Sequence, residues 1–64
     1  MAEWKKEARR LAKDFYLSKC EIQRIFWKIE DLYANCEMPD FYKGNRNEFL
    51  YDKAQKEIMS RVYA

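Results

Sequence analysis

Sixty-four residues give one domain with one small core, a size that buries only about 60% of its unfolded surface. Hydrophobic content of 48% beside 38% charged residues excludes a disordered chain, and one Gly with one Pro excludes an all-β fold, which needs many turns. The absence of His excludes imidazole catalysis, no apolar run approaches the roughly 20 residues of a membrane span, and a net charge of +2 marks no strongly basic or acidic chain. The start Met1-Ala2-Glu3-Trp4-Lys5-Lys6 is charged with no apolar signal region after it, so a soluble, cytoplasmic protein is expected. Four Phe, five Tyr and two Trp are more aromatics than one such core encloses, which points to a macromolecular partner or to self-association.

A first helix is expected over residues 3–16, because Trp4, Ala8, Leu11, Ala12 and Phe15 recur at the spacing of one helical face while Lys5, Lys6, Arg9, Arg10 and Lys13 fall elsewhere. It stops at Leu17-Ser18-Lys19-Cys20-Glu21-Ile22. There the Ser18 hydroxyl is placed to cap the Glu21 amide in a capping box, and Leu17 and Ile22 to form a hydrophobic staple.

The second helix is expected over 19–35 as the central core element, with Ile22, Ile25, Phe26, Ile29, Leu32 and Tyr33 along one stripe. Its opposite face carries Cys20, Gln23, Arg24, Trp27 and Asp31, so Trp27 is predicted to be exposed. Residues 36–46 hold the single Pro and the single Gly and form the loop, with Phe41 and Tyr42 folding back as a lid. A third helix over 47–63, entered at Asn47-Glu48, shows Leu50, Tyr51, Ala54, Ile58 and Val62 on one face and Phe49, Met59 and Tyr63 on another. The expected fold is therefore an all-α, compact three-helix domain covering residues 1–64. Its core is expected to comprise Trp4, Leu11, Phe15, Ile22, Ile25, Phe26, Ile29, Leu32, Leu50, Ala54 and Ile58.

No catalytic set emerges. There is no Gly-rich phosphate loop and no metal-ligand spacing, and the acidic pairs fit solvated helix surfaces, so the sequence predicts neither an enzyme nor a cofactor or metal. Cys20 and Cys36 lie sixteen positions apart near the opposite ends of one expected helix, about 24 Å, beyond the reach of a disulfide, and are read as reduced thiols. Charge is uneven: residues 1–28 hold eight Lys/Arg against four acids, and residues 29–64 hold five against seven.

In residues 8–27, Ala12 lies inside the first helix, Tyr16-Leu17 forms the turn, Ile22 packs back, and Leu11, Phe15, Leu17 and Ile25 supply further apolar positions. This arrangement resembles a helix-turn-helix DNA-binding unit. Two helices crossing through a short turn need a small side chain at closest approach, and the second helix then presents its early outward residues to the major groove. The resemblance implies a transcriptional regulator whose outward residues are Ser18, Lys19, Cys20, Gln23, Arg24 and Trp27. Arg24 would pair with guanine, Gln23 with adenine, and Lys13 and Lys19 with phosphates. The turn position at which the family commonly carries a left-handed glycine is Tyr16 here, where positive φ is costly.

The surplus aromatics support a second expectation. Tyr16, Trp27, Phe49, Met59 and Tyr63 suit an aromatic-rich protein interface, and the compact chain resembles the small phage proteins that bind and inhibit a host protein. The same side chains on the third helix, Phe49, Met59 and Tyr63, predict a two-fold homodimer. Duplex DNA and a protein partner both remain open on sequence.

Overall fold

Apolar spacing becomes three helices among the described residues, α1 (Glu3–Asp14), α2 (Lys19–Tyr33) and α3 (Arg46–Val62), with a 3-10 turn at Asp40–Tyr42 in the last connection. These come from a computed structural model, which describes residues 2–63. No strand occurs among the described residues, so the fold is all-α, and no helix is long and apolar enough to cross a membrane.

Backbone hydrogen bonds and caps set the helix ends. Phe15 leaves the helical region and Tyr16 turns left-handed at φ 63°, so α1 ends two residues before the expected boundary. The Tyr16 amide donates to the Lys13 carbonyl at 3.0 Å and the Leu17 amide to the Ala12 carbonyl at 3.1 Å, the two bonds of a Schellman motif. Ser18 caps α2 by accepting from the Glu21 amide at 3.2 Å. The Glu21 carboxylate, expected to complete the capping box, is engaged instead by Arg61 of α3 at 2.7 Å. At α3 the cap is Asn45, not Asn47: its side chain accepts from the Glu48 amide at 3.1 Å, repeating the Ser18-to-Glu21 spacing.

Polar contacts between helix ends mark the helix directions. Lys5 of α1 pairs with Glu30 of α2, and Arg46 of α3 donates to the carbonyls of Tyr33 and Ala34 at 2.7 and 3.0 Å. The starts of α1 and α3 thus lie with the end of α2, while Arg61 joins the end of α3 to the start of α2. The chain runs up, down and up.

The central packing element is α3 rather than α2: it packs against both other helices, whereas α1 and α2 touch each other least. Its two apolar faces follow from that position. Ala54 and Ile58 are fully buried, and Phe49, expected on an outward face, is only 1% exposed. Tyr33 and Tyr42 meet the Phe49 ring edge-on at 5.6 and 5.2 Å. Tyr42 therefore serves as the expected lid and donates to Asp52 at 2.9 Å, but Phe41 stays exposed.

The rest of the core is Trp4, Ala8, Ala12, Ile22, Ile25, Phe26, Ile29 and Leu50, with Trp4 and Phe26 in edge contact at 5.4 Å. Two expected core residues lie outside it, Phe15 at 39% exposed and Leu32 at 57%, and Leu11 is half-buried. Phe15 is the residue at which α1 unwinds, and Leu32 sits in the last turn of α2, so periodicity placed both on a stripe that the neighbouring helix does not cover to its end.

Candidate nucleic-acid interface

The first three turns of α2 start at the Ser18 cap, directly after the left-handed turn that ends α1. Ser18, Lys19, Cys20, Gln23, Arg24 and Trp27 are all exposed there, and so is Lys13 in the last turn of α1. Ile22, Ile25 and Phe26 carry the buried stripe of the same helix, so the outward face is the one that the 100° helical period leaves over. Ser18 already spends its hydroxyl oxygen on the Glu21 amide. Cys20 and Cys36 are exposed, free thiols.

Because α1 and α2 lean on α3 more than on each other, a hollow of about 370 Å³ opens between them, lined by Arg9, Lys13, Lys19, Ile22 and Gln23. Arg9 and Lys13 stand one turn apart on α1, and Lys19 and Gln23 one turn apart on α2. Sequence marks Arg9 only as a surface cation, and its i, i+4 spacing to Lys13 is the signal for a shared face. Its guanidinium lies 5.6 Å from the centre of the Phe26 ring.

Charge changes sign along α2. Beyond Trp27, Glu30 and Asp31 are exposed, and Lys28 is taken up by Glu57 of α3 at 3.0 Å. Trp27 borders a shallow depression shared with Lys28, Glu30, Asp31, Ala34 and Asn35. At the far end of the domain a depression of about 400 Å³ is lined by Glu3, Glu7 and Glu48 with Trp4, Asn45, Asn47 and Tyr51. Among the described residues no group of three or more His, Cys, Asp or Glu side chains is placed to hold a metal ion.

Of the residues expected at a protein interface, Tyr16 at 94%, Trp27 at 64% and Tyr63 are exposed, Met59 is partly buried against the core, and Phe49 is inside it. Phe49 is therefore unavailable to a partner. Tyr16 and Tyr63 share the end of the domain where Arg61 meets Glu21, whereas Trp27 stands farther along α2. No protein-family model, no curated protein and no solved structure matches the chain.

Proposed function

We propose that this protein binds duplex DNA as a small transcriptional regulator, entering the major groove with the start of α2. The observation that carries this reading is the exposed Lys19–Gln23–Arg24 surface at the start of α2, set against Lys13 by a turn whose Tyr16 adopts the left-handed conformation that helix-turn-helix units commonly give to glycine. A guanidinium at Arg24 matches the O6 and N7 acceptors of guanine, and cations flanking it neutralise phosphates. Exposed Asp31 disfavours a helix laid flat along the groove, and Glu30, paired with Lys5, adds no cation there, so α2 enters by its N-terminal turns.

The test is mobility shift on duplex DNA at two salt concentrations. Steep loss of affinity with salt and weakening by Arg24→Ala are expected; absence of binding at low salt rejects the reading. With Phe49 and much of Met59 withdrawn into the core, the expected two-fold dimer face keeps only Tyr63 fully outside, so we propose that the chain is a monomer in solution. Sedimentation at micromolar concentration checks this.

A second reading rests on Trp27. A large apolar ring exposed beside a shallow depression is the kind of anchor that protein partners desolvate, as expected of an inhibitor of a host protein. In that case Trp27→Ala abolishes partner binding, while Arg24→Ala chiefly changes the association rate.

A further inference from the structure

The hollow between α1 and α2 has two facing walls of donors. Arg9 and Lys13 stand on one, Lys19 and Gln23 on the other, Ile22 supplies its apolar surface, and no carboxylate lines it. Among the described residues neither Lys13 nor Lys19 has an ion-pair partner, so no described carboxylate offsets their positive charge. Gathering like charges around a concavity is unfavourable until an anion enters it.

Resting on the DNA reading above, we propose that this hollow seats a phosphate group, one backbone phosphodiester of the bound nucleic acid. The ligand chemistry follows from the walls. Donors converging from two helices suit the tetrahedrally arranged oxygens of phosphate better than the two coplanar oxygens of a carboxylate. The Phe26 ring beside Arg9 limits the freedom that this side chain must lose on binding. Gln23 is thereby assigned to the backbone as an amide donor, and Arg24, next along α2, remains the base reader. The seat fixes the register between them.

The test is an amide-resolved NMR titration of the full chain with inorganic phosphate, against chloride at matched ionic strength, followed by a short duplex. Wild type is compared with Lys13→Gln, Arg9→Gln and, as a control on the exposed surface of α3, Lys56→Gln. Phosphate is expected to give saturable shifts confined to the α1 and α2 residues around the hollow, with chloride giving none. Lys13→Gln and Arg9→Gln should each weaken phosphate and duplex binding about tenfold, as loss of a charge-assisted hydrogen bond does. Each should also lower the salt slope by about 0.9 on every duplex sequence, with Lys56→Gln unchanged. Lys13 is exposed, so its variant carries the test even where Arg9→Gln alters packing on Phe26.

Diffuse, unsaturable shifts, or duplex binding with wild-type affinity and slope in both variants, overturn the seat while leaving duplex recognition through Arg24 intact. Saturable phosphate binding without any duplex binding upholds the seat, identifies its source as a free phosphate-bearing ligand, and rejects the DNA reading.

Discussion

Leu17 and Ala12 are joined by a 3.1 Å hydrogen bond from amide to carbonyl, and closing that bond forces the residue between them and the cap, Tyr16, to φ 63°. A left-handed residue with a Cβ costs roughly 1–2 kcal/mol, and a side chain 94% exposed recovers none of it by packing. Tyr16→Gly should therefore stabilise the domain by about 1 kcal/mol, and Tyr16→Val should destabilise it. Urea denaturation with an unchanged slope measures the difference; a loss of stability in the glycine variant would show that the Tyr16 ring holds the turn.

Burial separates side chains that periodicity treats alike. Ile58 is fully buried and Phe49 is enclosed by Tyr33 and Tyr42, whereas Leu32 is 57% exposed. Ile58→Ala should cost about 2–5 kcal/mol and Phe49→Ala about 3–5 kcal/mol, against a total stability on the order of 5 kcal/mol for so small a domain, while Leu32→Ala should stay within about 0.5 kcal/mol. Circular dichroism would then show the first two variants largely unfolded at room temperature and the third still folded. A Leu32→Ala variant that also unfolds contradicts the observed helix packing.

These contrasts show which relations are legible in a sequence. Local ones are: the Ser18 cap, the stripe of Ile22, Ile25, Phe26 and Ile29, and the exposure of Trp27 all follow from residues within two helical turns of each other. The cap at Asn45 was legible too, since Asn45 precedes Glu48 by the same spacing. Nonlocal relations are not. Periodicity reports two apolar faces on α3 without saying whether the second meets solvent, a copy of the chain or the same domain; the 3-10 turn settles it by laying Tyr42 on Phe49. Glu21 likewise abandons its local capping role for Arg61, forty residues away. In the candidate site, the exposed face of α2 was legible from the helical period, but the partnership of Arg9 with Lys19 across two helices needed the small α1 to α2 contact that opens the hollow.

The hydroxyl of Tyr42 donates to Asp52, and that hydrogen bond, with burial and the negative charge of Asp52 behind it, raises the phenol above its ordinary pKa of 10.0. A folded-state pKa above the unfolded one means that the contribution to stability is complete below the unfolded value and is lost as pH rises through the folded value. Spectrophotometric titration near 295 nm should show one tyrosine ionising later than the others. Tyr42→Phe should remove that late step, and Asp52→Asn should move it back toward 10.0. An unaltered titration in Asp52→Asn would refute the assignment.

Insertion by the first turns of α2 separates two cations four positions apart on the same helix. Arg24 is exposed on the stretch assigned to the groove, whereas Lys28 is one turn farther on, beside exposed Glu30 and Asp31, and is held by Glu57 at 3.0 Å. Arg24→Ala should cost roughly 1–3 kcal/mol of DNA binding and relax discrimination at one base pair, because the guanidinium reads a base edge. Lys28→Ala should leave both affinity and salt dependence close to wild type, since its charge is already neutralised inside the protein. Competition binding with duplexes varied one position at a time makes the comparison. Equal losses in the two variants, uniform across all duplexes, would mean that α2 lies along the phosphates without entering the groove, and Arg24 would then be a backbone contact.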